Sequence, residues 1–299
     1  MKKPFIVCAI CCTSLAIASA ALDTKKIDEL TGLKGKANEK ENTYKVAFPR
    51  DDVKVSVDGW PMPPFMGLGT WATFTETKDG AMVMGDTVLF EDEVTAAMTA
   101  ALDNGLSVTA LHNHFFFDKP KVFFMHIEGE GNVDQLASAV RKVYDAVKQI
   151  RAATFQPKET FGAKALPEKN SINAAPLNEI FGAQGEAKDG MVKFTFGRPA
   201  TMHGVKIDNT MGVNTWAAFA GSDDNAVVDG DFAVTENELQ SVLKSLVKNH
   251  IHIVAIHQHM THEEPRIIFF HYWGHGAAKS LAENVKAALA LTETKQQSS

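Results

Sequence analysis

Two stretches of this chain carry the same polar residues at the same intervals. That self-similarity constrains the fold before any local propensity does. Residue n matches residue n + 145. Gly67-Leu68-Gly69-Thr70-Trp71-Ala72-Thr73-Phe74 lies beside Gly212-Val213-Asn214-Thr215-Trp216-Ala217-Ala218-Phe219. Asp86 meets Asp231, and Glu93 meets Glu238. Residues 102–131 align without a gap on 247–276, with nine of 30 positions identical and three of the nine histidines. Upstream, Phe48-Pro49-Arg50 matches Phe196-Gly197-Arg198, with a drifting offset. The chain therefore reads as one unit at 21–150, a connector at 151–172 with Pro157, Gly162 and Pro167, a second unit at 173–291, and a polar tail at 292–299.

Within each unit the periodicity predicts several strands, a helix, a hairpin and a second helix. Residues 53–57 alternate charged and apolar, as a half-buried strand does. Residues 69–75 and 81–89 read as strands joined at Asp79-Gly80. Residues 91–103 place Val94, Met98, Ala101 and Leu102 on one helical stripe, stopped by Asn104-Gly105. Residues 106–117 and 121–128 form the hairpin, and 134–150 an amphipathic helix. Thr235-Glu236-Asn237-Glu238 has the form of a capping box. Strand runs followed by helices give an α+β fold: two homologous repeats, each an antiparallel sheet with helices on one face.

The hairpin carries the chemistry. His112-Asn113-His114 is followed by His126, and His257-Gln258-His259 by His271. Residues two apart on a strand share a face, so each HxH pair converges. A hairpin register that pairs His114 with His126 and His112 with Glu128 gathers three imidazoles and a carboxylate; a shift of one residue sends His126 through the sheet. In the second unit Trp273 stands where Glu128 stands in the first. Three neutral imidazoles suit zinc, copper, nickel or iron, and a carboxylate shifts preference toward iron or manganese. Three protein ligands with an open position make a catalytic metal site. A metal-free polar pocket is the alternative.

Met1-Lys2-Lys3, an apolar run from Phe5 and Ala18-Ser19-Ala20 have the order of a secretory leader cut after Ala20. All three cysteines, Cys8, Cys11 and Cys12, fall within it, so metal ligands downstream are nitrogen and oxygen. Losing Lys2 and Lys3 moves the net charge from −6 to −8, which disfavours nucleic acid and anionic lipid as partners. No later segment is apolar enough to span a bilayer. The expected location is the periplasm or the medium.

Other residues carry weaker expectations. Asp86 and Asp231 follow glycines and read as ligand-binding or turn residues. Trp71 and Trp216 read as core ahead of substrate platforms, and Arg50 and Arg198 as members of surface ion pairs ahead of holders of a carboxylate. Glu93 and Glu238 read as helix caps, and His250 and His252 as facing away from the triad. Pro61 to Pro64 with Phe65 and Met66 reads as an apolar lip or plain loop.

The segments Ala255-Ile256-His257-Gln258-His259-Met260, Glu264-Pro265-Arg266, Phe270-His271-Tyr272-Trp273-Gly274, Gly212 to Phe219 and Asp229-Gly230-Asp231 resemble the LppY/LpqO family. The resemblance covers nearly all of the chain after the leader. It implies bacterial export and a duplicated domain, and it supplies no activity or catalytic residue. The chain departs from the lipoprotein members in lacking a usable lipid-attachment cysteine, and its first unit departs at Phe115-Phe116-Phe117 and Glu128. Three functions remain: a metal-dependent enzyme on a small molecule, a non-catalytic metal binder, and a ligand-binding or scaffold protein with structural histidines.

Overall fold

The computed structural model describes residues 22–292; the expected leader (1–20) and the tail from 293 lie outside the described residues. The first repeat runs α1 (Thr24–Thr31), β1 (Lys36–Asn38), β2 (Thr43–Pro49), β3 (Val55–Val57), β4 (Trp60–Met62), β5 (Gly69–Thr77), β6 (Gly80–Phe90), α2 (Val94–Asp103), β7 (Ser107–His112), β8 (Asp118–Lys119), β9 (Val122–Gly131) and α3 (Val133–Ala153). The second repeats that order: α4 (Ala174–Phe181), β10 (Glu186–Lys188), β11 (Met191–Gly197), β12 (Ala200–Met202), β13 (Val205–Ile207), β14 (Asn214–Ser222), β15 (Asn225–Thr235), α5 (Glu236–Lys248), β16 (His252–His257), β17 (Glu263–Glu264), β18 (Ile267–Gly276) and α6 (Ala278–Leu289). Each repeat thus opens with a helix that periodicity had not marked. Its ends are nonetheless set locally. The Asp23 carboxylate accepts from the Lys26 N–H, and Gly32 adopts φ 68° at the C-terminus. The capping box at Thr235 and Glu238 forms as expected.

Both repeats share one 12-stranded sheet, ordered β1-β2-β5-β6-β9-β7-β16-β18-β15-β14-β11-β10. The repeats meet at its middle, where β7 and β16 touch through one bridge, Leu111 to Ile256. These two residues are themselves related by the offset of 145. The six helices of the described residues cover one face. A single apolar cluster takes in Ile27, Ala97, Leu136, Leu177, Leu239 and Leu281, one from each helix, against sheet residues such as Val83 and Val228. Burying side chains of this kind contributes about 1.5–3 kcal/mol each.

The opposite face carries, in each repeat, a small three-stranded sheet: β4-β3-β8 and β13-β12-β17. Small apolar clusters fix these to the main sheet, Val55, Phe90 and Phe124 in the first, Ile207, Ala233 and Phe269 in the second. The strand read at 53–57 belongs to this small sheet and is shorter, Val55–Val57.

Arg50 is not in a surface pair. It is 1% exposed and donates from Nη1 and Nη2 to the Glu93 carboxylate at 2.8 and 2.9 Å. Arg151 reaches the same fully buried carboxylate from α3 at 2.8 Å. Arg198 and Glu238 repeat the pair at 2.9 Å. Glu93 also accepts from the Phe90 N–H, so it holds the β6–α2 turn as well as the guanidinium.

Candidate metal centres

The hairpin does not adopt the register expected from spacing. His112 pairs with Phe124, Ala110 with His126 and Ser107 with Glu128, with a bulge between Val108 and Ala110. The strand ends at His112, so His114 lies in the loop and does not face His126 across a ladder. The cause is the loop itself: residues 118–119 leave the hairpin to pair with β3 in the small sheet. Parity survives, because directly opposed residues share a face, and His112 and His126 stay together. Across from His126 stands Ala110, whose methyl leaves room for the imidazole to lean toward His112. The two Nε2 atoms lie 3.1 Å apart. His114 returns to the same patch by stacking on Phe124 at 3.4 Å, with its ring 5.1 Å from that of His112.

The second repeat uses the same devices. Ala255 faces His271, His257 faces Phe269, and His259 stacks on Phe269 at 3.5 Å. Here His257 and His259 bring Nε2 atoms within 3.2 Å, and the His271 ring stacks on His257 at 4.8 Å. All six predicted histidines therefore gather as two groups of three.

Glu128 does not pair with His112 but with Ser107. Its side chain is exposed and lines a cavity of about 460 Å³ at the seam, with Thr109, Gln240 and His257. The residue directly opposite His126 on β6 is Asp86, and its counterpart opposite His271 on β15 is Asp231. Both are buried. Asp231 Oδ2 lies 3.4 Å from His259 Nε2, and Asp231, His257 and His259 offer three ligand atoms within 4.8 Å of one another. The Oδ1 atoms of Asp86 and Asp231 are buried without a hydrogen-bond partner. Sequence spacing marked both as ligand-binding or turn residues but did not join them to the histidines, because they sit on a strand far upstream. The available signal was the Gly-Asp pair recurring at the common offset. That glycine is required at Gly230, where a Cβ would overlap the Tyr272 hydroxyl and the Trp216 carbonyl.

Trp71 and Trp216 are not core. Each pairs across the ladder with the site aspartate, Trp71 with Asp86 and Trp216 with Asp231, so each shares the histidine face. Both are half-buried beneath a lysine, Lys45 or Lys193, at 4.3 Å. His252 is held elsewhere, by Thr95 Oγ1 at 2.7 Å and by the Phe161 ring at 3.8 Å.

The electrostatics favour a cation. Burial pushes the His112 and His114 pKa values down, and neighbouring imidazoles push the same way. Burial, then His271 and His259, pushes His257 down to about 4. These rings are neutral near pH 7 and keep a lone pair. Burial raises Asp86 and Asp231, with the histidines opposing it. A bound cation would use the lone pairs and compensate the buried carboxylate. Nitrogen ligands at about 2.0–2.1 Å from a tetrahedral ion stand about 3.3 Å apart, close to the two Nε2 separations. His259 and His271 also turn Nδ1 toward the Gly212 and Gly230 carbonyls, at 3.2 and 3.4 Å. Such outer contacts fix the tautomer that presents Nε2.

The same two segments of the chain match one family model, described as a Domain of Unknown Function (DUF1259), at residues 25–146 and 175–291. The chain belongs to the DUF1259 family. No curated protein and no solved structure matches it. Each DUF1259 unit therefore carries one histidine group with one buried aspartate, built from β6, β7 and β9 in the first and from β15, β16 and β18 in the second. Among the described residues no helix is long and apolar enough to cross a membrane.

Proposed function

We propose that each DUF1259 unit binds one divalent transition-metal ion, and that the exported protein uses a position left open on a five- or six-coordinate ion to act on a small molecule. The ligands are Asp86, His112, His114 and His126 in one unit, and Asp231, His257, His259 and His271 in the other. One observation carries the reading: in both units two Nε2 atoms approach to 3.1–3.2 Å on the sheet face of a buried aspartate, and in the second unit Asp231, His257 and His259 offer three ligand atoms within 4.8 Å of one another. That separation also suits an N–H···N hydrogen bond with one ring as donor, whereas a shared ion engages both Nε2 lone pairs. Three histidines with a carboxylate suit iron or manganese, with zinc, copper and nickel as competitors. His114 and His259 lie on the solvent side, which leaves access for a water or substrate. The ion would polarise a carbonyl or supply hydroxide near neutral pH; Trp71 and Trp216 would wall the bound molecule.

Export rests on the leader-like residues 1–20 and on the resemblance to the LppY/LpqO family. The test is metal analysis of the untagged chain, purified from a host that exports it and then offered each of the five metals. The expected content is about two ions per chain, falling to one in either Asp86→Asn or Asp231→Asn. No retained metal from any of the five overturns the reading. An ion that exchanges within seconds and leaves every offered small molecule unchanged favours storage or delivery over catalysis.

A further inference from the structure

The two histidine groups are built from the same residue types, yet their surroundings differ. Beside the first, one end of the small sheet is ringed with large apolar side chains. Phe65 is 99% exposed, Phe116 81% and Phe117 78%, and Trp60 and Met66 are exposed too. They belong together by topology. Trp60 pairs with Val57, Val57 pairs with Asp118, and the Asp58 N–H donates to the Phe117 carbonyl. Phe65 and Met66 form the 3-10 turn that follows. Phe117 has φ 58°, a left-handed conformation uncommon for a bulky residue, which holds the phenyl group outward. A patch of this kind on an exposed rim marks a contact surface.

The patch is continuous with the first histidine group. Phe115 lies within reach of Gly67 and packs edge-on against both His114 and Phe124, at 5.9 Å between centroids. An aromatic path thus runs from the candidate metal ligands outward to the rim. The second repeat is an internal comparison on the same scaffold. At the offset of 145, Phe65, Phe116 and Phe117 become Thr210, Thr261 and His262, and Met84 beside the first site becomes Asp229 beside the second.

We infer that the first centre takes a small amphiphile, with an aromatic or alkyl body on the Phe65–Phe116 rim and an anionic head on the metal, and that the second centre does not. The inference rests on the metal reading above. A divalent ion with one carboxylate and three neutral imidazoles keeps one net positive charge, which an anionic head neutralises. The rim removes the body from water.

The probe is 1-naphthoate, followed by its fluorescence, on the metal-loaded chain. Saturable binding at one site is expected, weakened at least tenfold in Phe65→Ser/Phe116→Ser with metal content unchanged. His257→Ala/His259→Ala, which disables only the second centre, should bind naphthoate as the parent does. Both rim positions are exposed, so the fold should tolerate serine. Unchanged binding in the rim variant overturns the inference, as does loss of binding in the second-centre variant. If metal is retained but no naphthoate binds, the substrate class falls and the metal reading stands. If metal analysis finds none, the metal reading falls by itself, and naphthoate binding that chelation leaves unaltered overturns the head-on-metal arrangement. Co-sedimentation with phosphatidylethanolamine–phosphatidylglycerol vesicles, lost in the rim variant and without naphthoate binding, would assign the rim to a bilayer and overturn the inference as well.

Discussion

His257→Ala should abolish tight metal binding in the second unit and leave the first untouched. His257 is the central ring of its group, 3.2 Å from His259 through Nε2 and stacked on His271 at 4.8 Å. A four-ligand zinc site is worth about 10–16 kcal/mol at pH 7, so one donor of four carries about 2.5–4 kcal/mol. At about 1.4 kcal/mol per tenfold, the dissociation constant should rise roughly 60- to 700-fold. The assay is zinc titration against a chromophoric chelator, resolving two equivalents per chain in the parent. A second readout is thermal: free zinc at 100 times the parent constant stabilises by about 2.7 kcal/mol. In the variant, the same zinc adds about 0.6 kcal/mol or less through that site. Both readouts refer to the second unit, because His112 and His126 hold the first on different strands. An unchanged second equivalent would refute the coordination argument. Loss of both equivalents would refute the independence of the two sites.

Glu93→Gln removes the carboxylate that Arg50 and Arg151 share but leaves them Asp52 and Asp92 as partners, and should destabilise the fold by about 1–3 kcal/mol in urea denaturation; a change under about 0.5 kcal/mol would sink that account. In chelator-treated protein, His257 has a folded pKa near 4 against an unfolded value of about 6.5, so the unfolded chain binds the extra proton between them. Its contribution is fully present above pH 6.5 and is lost as pH falls toward 4. The parent minus His257→Gln stability difference should therefore decline across that window, and a flat difference would contradict the assigned burial. Gly230→Ala should lower both folded yield and second-site metal, because the added methyl meets the Tyr272 hydroxyl and the Trp216 carbonyl; wild-type metal content in a folded variant would show that the Asp231 strand tolerates displacement.

Some of the site could be read from the one-dimensional pattern. His112 and His114 are two apart, and the same motif recurs 145 residues on, so convergence followed from strand geometry. The register did not follow. A bulge between Val108 and Ala110, and a loop whose residues pair with β3 far upstream, set the register instead. Asp86 read only as a ligand-binding or turn residue for the same reason: it meets His126 because β6 and β9 are ladder neighbours. Arg50 read as a surface group because nothing local shows that Glu93 and Arg151 close over it.

The amino-acid order alone determined the duplication, the α+β class, the helix caps and the six histidines, because each depends on period, spacing or neighbours within a few residues. Packing decided that the two units share one sheet through Leu111 and Ile256, that Asp86 and Asp231 lie opposite His126 and His271, and that the two sites differ in their rims. These are long-range strand pairings. They depend on which faces can be buried together, and no local pattern records that.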